Sequence, residues 1–134
     1  MKVIVSLGYF DDSGEGRLLA VDLANGHQEV LLSYVPPQPL RVPTRGFTGA
    51  CFSDDAAFIY AAGHAAVFRI STSSWTVDGT LHMPSFNDVH HVAARRDRIY
   101  VANTGSDAVD VFLRDGRFVG SYMLTPPWVL ASKM

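Results

Sequence analysis

Cysteine is almost absent. Cys51 stands alone, so no internal disulfide can form, and a reducing, cytoplasmic location is the expectation. Charge is scarce too: charged residues make up 18% of 134 positions, with 11 Lys and Arg against 13 Asp and Glu and a formal net charge of -2. That balance excludes a strongly basic nucleic-acid binder. No apolar run approaches the roughly 18 residues of a membrane span. The first residues, Met1–Leu7, carry a single Lys and meet Asp11 and Asp12 too soon for the apolar core of a secretory signal. Helical periodicity is nearly missing as well.

What remains is short apolar segments, rich in Val and aromatics and broken by Gly, Pro, Asn and Asp. This is the pattern of an all-β chain with short, evenly spaced strands. At 48% hydrophobic the chain is too apolar for disorder, and its length suits one domain.

The segments repeat. Thr48–Tyr60 aligns without a gap on Asp88–Tyr100, 40 residues later. Each copy reads as a strand, a polar turn (Ser53-Asp54-Asp55 or Arg95-Arg96-Asp97) and a second strand ending in Ile-Tyr. Third strands follow at Ala66–Ile70 and Ala108–Phe112, and fourth strands at Trp75–Leu81 and Arg117–Leu124. Asp115-Gly116 supplies a hairpin turn, and Asn25-Gly26 stands at the matching place in the first unit. That unit starts late: Val3–Gly8, Leu18–Leu23 and His27–Tyr34 match the second, third and fourth strands, and nothing before them matches a first. Proline closes each unit, at Pro36-Pro37, Pro84 and Pro126-Pro127.

Four-stranded units of about 40 residues are the blades of β-propellers. His90–Tyr122 resembles the NHL-type repeat of six-bladed propellers, through Arg98–Asn103, Val109–Phe112 and Asp115-Gly116. The resemblance implies a single half-propeller domain with blades at about 1–35, 46–83 and 87–125. Trp128–Ser132 stands in the register of a further first strand. The expectation is a homodimer in which two chains close one six-bladed ring, each completing the other's first blade with that strand. A piece of a longer propeller is the alternative.

The resemblance also implies where chemistry sits. First strands line a central channel, and the loops from strand two to three and from strand four to one gather on one face. The candidates there are Asp88, His90 and His91 in the channel, and Arg45, His64 and Asn103 among the loops. Asp88 and His90 are two apart, so on a strand they face one side. A carboxylate beside an imidazole orients a base or shares a metal. In a dimer two such pairs would meet, a set suited to zinc. A wet, polar channel is the plainer reading of the same residues. His91 is expected on the opposite side, packed and hydrogen-bonded.

Asp11-Asp12-Ser13-Gly14-Glu15 has the alternating oxygens of a calcium loop without the order of an EF-hand, so a solvated acidic loop is expected. Asn103-Thr104-Gly105 reads as a turn, and Cys51 as a small buried hydrophobe rather than a nucleophile. Two functions stay open: a module binding a small molecule or peptide on the channel face, or a metal-dependent hydrolase or lyase, lactonase-like, with His90 as ligand or base and Asp88 as its partner. Neither a nucleic-acid nor a membrane partner is expected.

Overall fold

The computed structural model describes residues 1–9, 11–43 and 45–123, which hold eleven strands in three antiparallel sheets. The strands are β1 (Lys2–Gly8), β2 (Gly16–Asp22), β3 (Gln28–Tyr34), β4 (Gly49–Phe52), β5 (Phe58–Ala62), β6 (Val67–Ser71), β7 (Thr76–Leu81), β8 (Val89–Arg95), β9 (Arg98–Asn103), β10 (Ala108–Leu113) and β11 (Phe118–Met123). Each sheet is an up-and-down meander: β1-β2-β3, β4-β5-β6-β7 and β8-β9-β10-β11. These are three successive propeller blades. The first has three described strands, with β1 at its inner edge, as the late-starting repeat predicts. The expected closing strand at Trp128–Ser132 lies outside the described residues.

Two apolar interfaces hold the blades together. Between blades one and two lie Leu18, Phe47, Ile59, Ala61, Phe68 and Ile70. Between blades two and three lie Tyr60, Ala62, Val67, Val92, Ile99, Val101 and Phe112. Strand β5 serves both. Its alternate residues point to opposite faces, so Ile59 and Ala61 pack on blade one, and Tyr60 and Ala62 on blade three. A strand covered on both sides reads as a continuous apolar run, which explains why Phe58–Ala62 lacks polar alternation. Phe68 anchors the first interface, its ring 5.2 Å from Tyr34 and 6.2 Å from Phe47.

Turn geometry repeats with the sequence. Ala56 and Arg96, 40 residues apart, both take left-handed φ, at 57° and 55°, in the hairpin from first to second strand. In the hairpin from third to fourth strand, Gly26 and Gly116 take positive φ, and blade two places Trp75 there at 52°. A bulky residue strains that conformation. The half-buried Trp75 packs against the first interface, which offsets the strain. At the end of β1, Gly8 and Gly46 approach so closely that a Cβ on Gly46 would lie 2.4 Å from Gly8 Cα. This contact pins Gly46, just after the proline-rich stretch, to blade one.

Candidate functional site

The loops from strand two to three and from strand four to one gather on one face, and the second blade boundary is where its polar side chains meet. Asp88 precedes β8 and has φ 56°. Aspartate tolerates this left-handed conformation better than most residues. Its Oδ1 lies 3.1 Å from His90 Nε2 and 3.4 Å from His64 Nδ1. His64 comes from the loop after β5 in blade two, so two blades supply the cluster. His64 Nδ1 is buried with no hydrogen-bond partner among the described residues, since the approach to Asp88 is close but poorly aligned. The His64 carbonyl accepts from Val89 N–H at 3.0 Å, tying the two blades together at this point.

The pairing of Asp88 with His90 is present, but strand alternation does not produce it. Asp88 lies outside the strand, and the ladder shifts between Val89 and His91, leaving His90 as the extra residue of a bulge. The left-handed turn and the bulge together bring the two side chains into contact. His91 also departs from expectation: it is exposed rather than packed. Its register is set by the bulge, and β4 passes close by, so that a Cβ on Gly49 would meet His91 Nδ1 at 2.8 Å.

Asn103 is 1% exposed, and its side chain is fully engaged. Its Oδ1 accepts from Asn87 N–H at 3.0 Å, and its Nδ2 donates to Ser85 O and Asp110 Oδ2, each at 3.0 Å. Gly105 N–H donates to Asn87 O at 2.8 Å. These bonds fix the loop Ser85–Asp88. Asn103 is thus a positioning residue beneath the cluster, with no free polar atom to offer a ligand. Ser85 and Asn87 act through their backbones, so nothing in their side chains could have signalled that role.

Arg45 is exposed, and lines a narrow recess between blades one and two with Gly46, Phe47, Gly63 and His64. It therefore shares a wall with His64 and not with His90. The acidic loop behaves as a solvated turn: Asp11 Oδ1 accepts from Ser13 N–H at 2.9 Å, and Glu15 pairs with Arg17 at 3.1 Å. Burial pushes the Cys51 thiol pKa up, which disfavours a thiolate nucleophile. Among the described residues, no three His, Cys, Asp or Glu side chains are arranged to hold one metal ion. No helix among them is long and apolar enough to cross a membrane.

The cluster has clear chemical capacity. Asp88 lies close enough to both imidazoles to attract a protonated ring, and a small rotation would let it hydrogen-bond one of them. His90 is exposed and reachable, and its Nδ1 stays free of Asp88. One carboxylate flanked by two imidazoles offers both acceptors and donors to a polar ligand.

Solved structures share this architecture. The C-terminal WD40 domain of Sif2 matches with a TM-score of 0.67 at 12% identity, over 91% of this chain and 34% of that one. Sqt1 from Saccharomyces cerevisiae matches at 0.65 and 16%, over 90% and 30%. A candidate 6-phosphogluconolactonase from Bacteroides uniformis matches at 0.65 and 13%, over 92% and 40%. The chain thus spans 30 to 40% of these proteins' length. No family model matches it, and no curated protein matches it in sequence. At such identities the likeness shows the fold, which the chain shares with propellers of differing function.

Proposed function

We propose that the chain is a β-propeller binding module whose ligand, a small polar molecule or a peptide, seats over His64, Asp88 and His90. The observation that supports this reading is the convergence of two imidazoles from different blades on one Asp88 oxygen. Buried Asn103 holds the loop beneath them. A site so braced binds with little ordering cost. The test is histidine-labelled NMR against a panel of hydroxy acids and short peptides. A true ligand shifts the His64 and His90 rings together, and Asp88→Asn weakens it. A ligand that binds while both rings stay unmoved overturns the proposal.

A hydrolase or lyase is the second reading, favoured by the 3.1 Å contact of Asp88 with an exposed His90. A carboxylate this close can orient the imidazole as a general base. Lactone opening that disappears in His90→Ala would support it, and unchanged activity in that variant would sink it. The metal-dependent form of this reading, in which Asp88–His90 pairs from two chains share a zinc ion, is tested by metal analysis of the purified protein: a divalent ion bound by the parent and lost in His90→Ala supports it, and a metal-free active protein refutes it.

The partner of the fold is a second copy of the chain, in a six-bladed ring. Support comes from the 40-residue register of Trp128–Ser132 and from the apolar recess beside β1, lined by Ile4, Ala50, Cys51, Phe52 and Ile59. Light scattering should then give about twice 14.6 kDa. A folded monomer refutes the ring.

A further inference from the structure

The face opposite the His64–Asp88–His90 cluster carries the hairpins from first to second and from third to fourth strand. Five of the nine arginines gather there on blade three: Arg95, Arg96, Arg98, Arg114 and Arg117. Arg114 pairs with Asp55, and Arg117 with Asp115. Among the described residues, Arg95, Arg96 and Arg98 lie within ion-pair distance of no carboxylate.

Beside this patch a cleft of about 150 Å³ opens between blades two and three. Tyr60, Arg69, Thr80, Leu81, Ile99 and Arg114 line it. Tyr60 is 2% exposed, and its hydroxyl is buried without a hydrogen-bond partner among the described residues. Such an orphan in a native interior calls for a water or a ligand. Above it, guanidinium groups from two blades crowd one ring. Arg69 Cζ is 4.7 Å and Arg114 Cζ 5.8 Å from the centroid of Phe58.

Each guanidinium is tethered by one carboxylate, and that of Arg114 also lies beside the Tyr60 hydroxyl, in a contact that falls short of a well-aligned hydrogen bond. Arg69 Nε meets Asp78 at 2.7 Å, and Arg114 Nη2 meets Asp55 at 2.6 Å. A guanidinium has five N–H donors in a fixed fork and no acceptor, so each tether leaves most donors unused. The carboxylate at the cleft's edge, Asp115, is already taken by Arg117 at 2.8 Å. The cleft is therefore rich in donors and poor in free acceptors.

We propose that this inter-blade cleft binds an oxyanion, a phosphate or carboxylate group, between Arg69 and Arg114 above the Tyr60 hydroxyl. Planar forks of this kind match both groups bidentately. The unpaired arginines nearby supply an attractive field for its approach. Burial raises the Tyr60 pKa, so the phenol stays protonated and can donate. The site does not depend on the channel-face reading, because it uses other residues.

The test is amide and arginine-side-chain NMR of the full chain, titrated with inorganic phosphate and, separately, with acetate, at ionic strength matched with chloride. Saturable shifts are expected at Gly79, Thr80 and Gly116, and at the Nε of Arg69 and Arg114. Tyr60→Phe and Arg69→Gln should each weaken binding by about tenfold, the scale of one charge-assisted bond. His90→Ala should leave it unchanged. Saturation by phosphate alone supports a phosphorylated ligand, and saturation by acetate supports a carboxylate. Three results overturn the proposal: no saturable shift beyond chloride, which leaves water in the cleft; shifts confined to Arg95, Arg96 and Arg98; or unaltered affinity in either folded variant.

Discussion

Blades two and three fill one structural slot in opposite ways. At the end of the second strand, blade two has Gly63 where blade three has Asn103. In the third strand, opposite the position two residues earlier, blade two has Phe68 where blade three has Asp110. In blade two the slot is a ring packed on Tyr34 and Phe47, with Gly63 leaving room for it. In blade three it is a buried amide bonded to a buried carboxylate. An apolar plug only fills space, whereas an amide with several bonding directions also holds a neighbouring loop. That loop carries Asp88. The entrances to the two inner strands differ accordingly. Thr48 Oγ1 donates to Ala62 O and Val89 O as a plain strut, while its counterpart 40 residues on, Asp88, turns left-handed and meets two histidines.

Four perturbations test this contrast. The largest effect is expected from Phe68→Ala, which opens a cavity and should cost about 3–5 kcal/mol in denaturant unfolding, without altering ligand contacts at His90. Asn103→Ala should cost about 1–3 kcal/mol, because buried partners are left unsatisfied. It should also speed hydrogen exchange at Ser85–Asp88. If Asn103→Ala destabilises without loosening that loop, the positioning role is wrong. Thr48→Val removes two backbone contacts and should cost about 0.5–1.5 kcal/mol, with the His64–Asp88 geometry kept.

The smallest effect belongs to the exposed pair of Asp55 and Arg114. The Arg114 guanidinium, then Ser53 and the Ala57 amide, hold the Asp55 carboxyl well below the usual carboxylate range. A carboxyl depressed by folding stabilises at any pH above its unfolded value of about 4. That contribution fades as pH falls through the depressed value. Asp55→Asn should therefore melt slightly below the parent at pH 7 and converge with it in strong acid. A gap that widens on acidification would contradict the linkage.

Much of this was legible in the sequence. Most strand ends fall within a residue or two of those the repeat predicts, because Gly and Pro act locally, although the second strands run two and three residues past their Ile-Tyr pairs. Asp88 and His90 stood out as a pair by spacing. Their actual contact depends on a left-handed φ and a bulge, and neither leaves a mark at residue level. His64 joined them from another blade, a meeting that only packing across the interface decides. Asn103 read as a turn residue because the Asn-Thr-Gly string is local, while its burial comes from a loop 16 positions earlier. The inter-blade cleft was invisible for the same reason, since Arg69 and Arg114 sit on different blades.

Strand β5 packs on a neighbouring blade through each of its faces, and this gives the chain an internal clock. Either outer blade can peel away and expose one face of blade two. Blade two cannot open without surrendering both interfaces. Its amides should therefore exchange only through complete unfolding, and those of the outer blades through partial events that come sooner. Under mechanical load, the strand that looks least distinctive in sequence would be the last of its blade pair to let go.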